Sequence, residues 1–157
     1  MSESDKKFHN SAFMREALSE ACKAEAQDEV PVGAVIVRGG EIIARAHNMR
    51  ETDQIGTHHA EILAIEQACK AVGSWRLSEC DIYVTLEPCP MCAGALINSR
   101  IRTIYYGASD PKAGCCGTLY DLTGDGKFNH KPKVIGGVLA DECGKILTNY
   151  FKKKRKE

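Results

Sequence analysis

Apolar residues recur along the chain at two different spacings, and these spacings alternate. In 10–27 the apolar positions recur every three or four residues, which is typical of an amphipathic helix with one face on a core. Two β-branched runs, 32–37 and 41–46, then flank Gly39 and Gly40, and this pattern predicts an antiparallel hairpin. The chain is therefore expected to begin with a helix followed by two paired strands.

The next part of the chain alternates helical and extended patterns. Helical spacing returns in 57–72 and ends at Gly73, a residue favoured where helices stop. The segment DIYVTLEP is typical of a buried strand, and 89–98 is predicted to be a short helix with a proline in its first turn. A further strand is predicted at 101–106.

The periodicity fails over 107–131, where Gly, Asp, Pro and Lys dominate. This composition predicts an ordered surface loop with one helical turn near Leu119, and loops of this length are more often functional than idle. The segment VIGGVL gives a last strand, and Asp141 is expected to open a final helix that leads into the tail KKKRKE. The predicted order is αββαβαβ, loop, βα.

This order of elements predicts an α/β fold. Strands that alternate with helices after an initial hairpin favour a five-stranded mixed sheet with helices on both faces, which is a three-layer sandwich. With 157 residues, the chain is expected to form a single domain over 1–157, because a second domain has no room. No linker, internal repeat or low-complexity segment interrupts the pattern.

Composition and charge narrow the functional classes. Lys plus Arg equals Asp plus Glu, at 21 each, so any contact with nucleic acid must come from local patches. The first residues lack the apolar stretch of a secretory signal, and no run approaches the roughly 18 apolar residues of a membrane span. A cytoplasmic protein without membrane association is therefore expected, and its eight cysteines indicate metal ligands and unreactive thiols rather than disulfides.

Two short motifs, HAE and PCPMC, each lie at a predicted helix start. Cys89 and Cys92 are three residues apart in a first helical turn, so both sulfurs can face one metal ion about 2.3 Å away. Together with His59 they would give zinc three protein ligands and leave a fourth position open to water, which is typical of catalytic sites. Glu61 would then lie beside that water and move its protons. Alone, each motif is also explained by chance, a redox pair or half of a structural site.

The pattern H-x-E followed by P-C-x-x-C is that of zinc-dependent base deaminases. Together with VPVGAVIV, TLEPCPMCAGALINSRI, GASDPKAG, FNH and VLADEC, it makes the chain resemble the bacterial tRNA-specific adenosine deaminases of the cytidine deaminase-like superfamily. The resemblance runs from the first helix to the tail. It implies the cytidine deaminase-like form of the three-layer sandwich.

The resemblance also implies an activity. It implies hydrolytic deamination of adenosine to inosine at the wobble position (34) of an arginine tRNA with the anticodon ACG. It further implies one Zn²⁺ per subunit, a homodimer, the tRNA anticodon stem-loop as partner, and no organic cofactor. In such an enzyme a zinc-bound hydroxide attacks C6 of a flipped-out adenine, while Glu61 protonates the ring nitrogen and the departing ammonia.

Several further residues match positions that this family uses for substrate. Asn48 could read a purine edge through its amide, and Pro31 and Val32 match positions that line the base pocket. Asp110 and Lys112 fall where the family holds the nucleotides that flank the base. Each has a structural alternative. Asn48, Asp110 and Lys112 could simply form turns, and Pro31 and Val32 could be an ordinary strand start.

The C-terminal third holds three more candidates. Asn129 and His130 match an Asn-His pair of the family, so a backbone or base contact is expected, with a capping role as the alternative. Phe151, beside the basic run 152–155, suits stacking next to an anticodon phosphate backbone, although charge runs also occur as solvated tails.

His58 stands where many relatives carry a small residue, and either contacts substrate or is an exposed histidine at a helix start.

Two other interpretations stay open. The zinc motif does not choose a substrate, so a deaminase of free nucleobases or nucleosides, of the guanine or cytosine type, would use the same mechanism. The loop around Asp110 and the tail around Phe151 favour tRNA, because a small-molecule enzyme would not need them. A non-catalytic RNA-binding protein with structural zinc is the third interpretation, and Glu61 argues against it because a structural site would offer a fourth ligand instead.

Overall fold

A computed structural model of the protein describes residues 1–157. The helices are α1 (Glu3–Ala26), α2 (Arg50–Asp53), α3 (Ala60–Val72), α4 (Pro90–Asn98) and α5 (Ala140–Arg155). The strands are β1 (Gly33–Arg38), β2 (Glu41–His47), β3 (Cys80–Leu86), β4 (Thr103–Ala108) and β5 (Lys133–Ile135). The order predicted from the sequence is confirmed, with the short helix α2 as an addition. None of the helices has the length and apolar character needed to cross a membrane.

The five strands form one mixed sheet in the order β2-β1-β3-β4-β5. Strand β1 pairs antiparallel with β2 and β3, whereas β3 with β4 and β4 with β5 are parallel pairs. Leu86 at the end of β3 pairs with Ala108 at the end of β4. Because parallel strands end at the same edge of a sheet, the segments that follow these two residues leave the sheet side by side.

Helices cover both faces of the sheet, which confirms the predicted three-layer arrangement. Successive residues of a strand point to opposite faces. Ala34 and Ile36 of β1 therefore pack in the larger core cluster with residues of α3 and α4, while Val35 and Val37 pack in the smaller cluster with residues of α1 and α5. Burial on both sides explains why the central strands are nearly continuous apolar runs.

Helix α1 begins at Glu3, earlier than the apolar pattern predicts. The Ser2 hydroxyl accepts a hydrogen bond from the Asp5 N–H at 3.1 Å, and the Asp5 carboxylate accepts one from the Ser2 N–H. This reciprocal pair caps the helix start. The first turns are exposed on all sides, so hydrophobic spacing carries no signal for them.

The last strand and the last helix also differ from the prediction. Strand β5 ends at Ile135. Gly136 lies against the Tyr106 ring, where a Cβ atom would be 2.3 Å from Cζ. Gly137 then adopts a φ of +85°, which turns the chain out of the sheet. Helix α5 follows Leu139, so Asp141 lies within its first turn and does not cap it.

No helical turn forms near Leu119, which is a further departure from the prediction. The segment instead makes a narrow turn closed by an isolated antiparallel bridge between Cys116 and Asp121. The Leu122 N–H donates to the Cys115 carbonyl at 3.0 Å on the same side of this turn. The long loop is ordered, as predicted, although it contains no helix and no strand.

Candidate active site

The starts of helices α3 and α4 meet beside the sheet. His59 is the residue before α3 and Cys89 the residue before α4, while Cys92 lies in the first turn of α4. The His59 Nδ1 atom lies 3.6 Å from the Sγ atom of each cysteine, and the three donor atoms all lie within 4.8 Å of one another. Zinc bonds of 2.0–2.3 Å in a tetrahedron would separate ligand atoms by about 3.6 Å. The donor set and its spacing therefore fit a zinc ion.

The two sulfur atoms of this cluster have opposite acidities. A hydrogen bond from the Cys92 thiol outweighs burial and, together with a hydrogen bond from His59, lowers the pKa of Cys89 to about 4. The same hydrogen bond and burial raise the pKa of Cys92. The lowered pKa favours the thiolate form of Cys89, which is the form of cysteine that binds metals.

Glu61 lies beside the cluster, in the first turn of α3, and its side chain is only 4% exposed. Burial, reinforced by the charge of the Cys89 thiolate, raises the pKa of Glu61 to about 7. A carboxyl group with a pKa near neutrality can both accept and return a proton. This side chain therefore suits acid–base chemistry.

A cleft of about 280 Å³ opens next to these groups. Its size lies near the lower limit of pockets for small ligands, which are about 300 to 1,000 Å³. Six of the residues identified from the sequence line it: Val32, Asn48, His59, Glu61, Cys89 and Asp110. The structure thus brings the metal candidates together with three of the substrate candidates.

Asn48 stabilises a turn and also lines the cleft. Its Oδ1 accepts a hydrogen bond from the Arg50 N–H at 3.1 Å, and its Nδ2 donates to the Val30 carbonyl at 3.3 Å. An amide oxygen accepts two hydrogen bonds and an amide nitrogen donates two, so one of each stays available. Pro31 is buried between two cleft residues, Val30 and Val32, and does not line the cleft itself.

Lys112 and Phe151 line a second, adjoining cleft of about 560 Å³. The two clefts share Val30, Leu86 and Asp110 as wall residues, so they lie side by side. Phe151 is 44% exposed there. The Asp110 carboxylate accepts hydrogen bonds from the N–H groups of Lys112 and Ala113, so the turn expected as its alternative role is also present.

Asn129, His130 and His58 lie outside both clefts. The His130 Nε2 atom donates to the Ile101 carbonyl at 2.6 Å and fixes the loop just before β4, while Asn129 is exposed. His58 pairs through Nδ1 with the Asp53 carboxylate at 2.6 Å. Substrate contacts by Asn129 and His130 stay a prediction.

The residues of the first cleft that sequence reasoning missed include Glu29, Arg50, Glu87 and Tyr150. Glu29 and Glu87 are both buried, with exposures of 0% and 2%. Both directly flank an apolar run in the sequence, and this position could have marked them as buried. A buried carboxylate needs specific hydrogen-bond partners, so such residues are candidates for a structural or functional role. No local pattern marks Tyr150, which reaches the cleft from the C-terminal helix.

Comparison with known proteins identifies relatives over almost the whole chain. The MafB19-like deaminase family matches residues 8–155. A Bacillus subtilis (strain 168) protein named tRNA-specific adenosine deaminase is 56% identical over 145 residues, which are 92% of this chain and 90% of that protein. One similar structure comes from a study of A-to-I editing by tRNA:A34 deaminases, with a TM-score of 0.84 and 46% identity over 87% of this chain and 99% of that chain.

A second similar structure is the guanine deaminase of Bacillus subtilis. It has a TM-score of 0.61 and 38% identity, over 69% of this chain and 66% of that chain. The tRNA-specific relatives match more of the chain at higher identity. The five-stranded sheet, the His-Cys-Cys cluster and these similarities agree, and the chain belongs to the tRNA-specific adenosine deaminases of the cytidine deaminase-like superfamily.

Proposed function

We propose that the protein deaminates adenosine to inosine by hydrolysis at the wobble position of a tRNA, with the arginine tRNA that carries the anticodon ACG as substrate. The observation that carries this proposal is the position of Glu61 beside His59, Cys89 and Cys92 at a cleft of about 280 Å³. Base-editing enzymes extrude the target base into a pocket of this kind. The high identity to a tRNA-specific relative favours tRNA over a free base.

His59, Cys89 and Cys92 would hold one zinc ion per subunit. One histidine and two cysteines leave a tetrahedral position for water, as in catalytic rather than structural zinc sites. Bound zinc lowers the pKa of a water ligand to about 7, which supplies hydroxide at neutral pH. Hydrolysis consumes only water, so no organic cofactor takes part.

Glu61 moves the protons of the reaction. It takes a proton from the attacking water and delivers it to the ring nitrogen. It then takes the proton of the new hydroxyl group on C6 and delivers it to the leaving amine as the carbonyl forms, so that one water is consumed and one ammonia released. Its burial and its pKa of about 7 support this role, because the group is poised to exchange protons near neutrality. The free donor and acceptor of Asn48 orient the purine edge, and Val32 gives its face an apolar contact.

The adjoining cleft holds the nucleotides next to the target base. Lys112 offers a cation for a phosphate group, and the half-exposed Phe151 offers a ring on which a base stacks. The run 152–155 adds four basic residues on the last turns of α5. Because the formal net charge of the chain is zero, such a local basic patch is the source of attraction for RNA.

The protein acts as a homodimer in this proposal. Three large apolar side chains of one loop are exposed, Leu119 at 50%, Tyr120 at 67% and Phe128 at 52%. Large apolar side chains left exposed in one loop are candidates for a protein–protein contact. Sedimentation equilibrium tests the assembly, and a monomer at micromolar concentration would contradict it.

The activity is tested by incubating zinc-loaded protein with arginine tRNA of anticodon ACG, free adenosine, cytidine or guanine, and measuring products by mass spectrometry. Inosine from the tRNA alone is expected. Glu61→Gln is expected to keep its zinc and lose at least about a hundredfold in rate, because proton transfer is removed while the ligands stay. Product only from a free base or nucleoside would assign a metabolic deaminase instead. Zinc-loaded protein without any product would favour a binding role.

A further inference from the structure

The loop after β4 folds around one buried carboxylate. Glu87 lies directly after β3 and is 2% exposed. Its Oε1 accepts hydrogen bonds from the Asp110 N–H at 3.0 Å and from the Thr118 hydroxyl, and its Oε2 accepts from the N–H groups of Cys116 at 3.0 Å and Thr118 at 3.1 Å. Gly114 packs on this carboxylate, since a Cβ atom there would lie 2.5 Å from Glu87 Oε1.

These hydrogen bonds replace the missing secondary structure of the loop. The N–H groups of Asp110, Cys116 and Thr118 make no backbone hydrogen bond, whereas those of Gly114, Cys115, Gly117 and Leu119 do. Buried N–H groups need partners, and a single carboxylate serves all three. The conformation of 109–118 therefore depends on Glu87.

The same segment forms a wall of both clefts. Asp110 lines the first and second clefts, and Lys112 lines the second. Glu87 is not one of the three candidate metal ligands, and both of its carboxylate oxygens accept hydrogen bonds from the loop. Its influence on a substrate passes through the segment that it holds.

We propose that Glu87 is a positioning residue that fixes 109–118 in the conformation that receives the nucleotides beside the target base. This inference rests on the proposed action on tRNA. A loop that is already ordered does not lose conformational entropy when the substrate binds, which strengthens binding without changing the chemical step. Glu87 thus contributes to tRNA binding through the loop that it holds.

Glu87→Gln is a selective probe, because it replaces one acceptor oxygen by an NH2 group of the same size. The NH2 group can face the Thr118 hydroxyl, since a hydroxyl reverses its hydrogen bond, but it cannot face two fixed N–H groups. The amide oxygen is therefore expected to stay on Cys116 and Thr118, which leaves the NH2 group opposite the Asp110 N–H. The variant is therefore expected to lose the hydrogen bond from the Asp110 N–H and to keep those from the Cys116 and Thr118 N–H groups.

Steady-state kinetics with the ACG tRNA test the inference. In zinc-loaded Glu87→Gln, KM is expected to rise about tenfold while kcat stays within about twofold, because the loop must be ordered on binding. Zinc content is expected to be unchanged. Glu20→Gln is the matched control, since Glu20 is 3% exposed, contacts Lys23 and His47, and lies on α1 away from both clefts. Its KM is expected to equal that of the wild type.

Hydrogen exchange resolved to single amides gives a readout that does not depend on activity. In Glu87→Gln the Asp110 amide is expected to exchange faster, while the Cys116 and Thr118 amides stay protected. If the wild type does not deaminate tRNA, the proposed function fails, and this measurement still decides whether Glu87 holds the loop. Equal exchange at Asp110 in both proteins would overturn the inference, as would a fall in kcat at unchanged KM.

Thr118→Val is a second variant, on an exposed residue, and it removes only the hydroxyl hydrogen bond to Glu87. A KM increase of about threefold is expected, because one of several hydrogen bonds is lost. This variant decides the question if Glu87→Gln does not fold. Unchanged KM and unchanged exchange of the loop in Thr118→Val would then overturn the inference.

Discussion

Cys89 and Cys92 show how position alone gives two identical side chains different properties. Cys92 is fully buried in the first turn of α4, whereas Cys89 is half-buried at its start. The Cys92 thiol donates to Cys89, and this contact is the main reason for the lowered pKa of Cys89. The position of the two cysteines at one helix start therefore favours the thiolate form of Cys89, and a bound cation would favour the thiolate form of Cys92 as well.

Cys92→Ser is expected to lose zinc, because a serine hydroxyl is a far weaker zinc ligand than a thiolate. Zinc per chain, measured by mass spectrometry after dialysis against a chelator, is expected to fall at least about tenfold below that of the wild type. Cys22→Ser serves as the control, since Cys22 is exposed and lies on α1 outside the cluster. Equal zinc contents in the two variants would contradict the assignment of Cys92 as a ligand.

At the scale of elements, the contact between α1 and β1 depends on one missing side chain. A Cβ atom at Gly33 would lie 2.0 Å from the Ala17 carbonyl oxygen and 2.5 Å from the Ala21 nitrogen, both in the backbone of α1. Backbone atoms cannot move aside as a flexible side chain would. The strand that follows Val32 therefore approaches the helix as closely as two backbones allow.

Gly33→Ala is expected to lower the free energy of unfolding by about 1–3 kcal/mol, because an extra methyl group overpacks this contact. Gly94→Ala is the matched control, since a Cβ atom at Gly94 in α4 meets nothing within 4 Å. That change is expected to raise the free energy of unfolding by about 0.5–1 kcal/mol through helix propensity. Urea unfolding measures both, and equal effects would show that the α1 contact is not tight.

Elements that bury an apolar face were predictable from the sequence, and the others were not. The β1–β2 hairpin and helices α3 and α4 follow their patterns closely, since burial imposes the spacing. Helix α2 has no buried residue and leaves no such pattern. The loop 109–118 is ordered by the side chain of Glu87, and hydrogen bonds between a loop and a distant carboxylate have no periodicity to read.

At the scale of the whole molecule, the last helix meets the connection between α1 and β1 beside the cleft. The Lys154 Nζ atom lies 2.6 Å from the Asp28 carboxylate, and the Tyr150 hydroxyl donates to the Asp28 carbonyl at 3.3 Å. The C-terminal helix α5 is thereby tied to the connection between α1 and β1. His59, Cys89 and Cys92 were identifiable as local motifs, whereas Tyr150 enters the cleft only through this long-range contact.

Glu29, in the same connection, links stability to pH. Burial by itself would raise the pKa of Glu29, but hydrogen bonds from the Thr52 hydroxyl and from the N–H groups of Glu51 and Thr52 outweigh it and lower the pKa. A carboxyl group with a lowered pKa in the folded state stabilises the protein above its unfolded-state pKa. That contribution is lost as the pH falls through the folded-state pKa.

Glu29→Gln is therefore expected to be less stable than the wild type by about 1–3 kcal/mol at neutral pH, because buried N–H groups lose their acceptor. The difference is expected to narrow as the pH falls below the ordinary glutamate value of 4.5. Urea unfolding of both proteins over a pH series measures it. A difference that stays constant down to about pH 3 would show that Glu29 keeps its ordinary acidity in the folded protein.

Because Glu87 holds the loop from a distance, the residues suited to chemistry and the residues that shape the second cleft lie on different parts of the fold. The groups suited to chemistry lie on the starts of α3 and α4, whereas the walls of the second cleft come from a loop and from α5. A guanine deaminase shares this fold at 38% identity over 69% of the chain. A change of substrate in such a fold can therefore come from replacement of the loop alone. The new loop would need N–H groups placed to donate to the buried carboxylate at position 87.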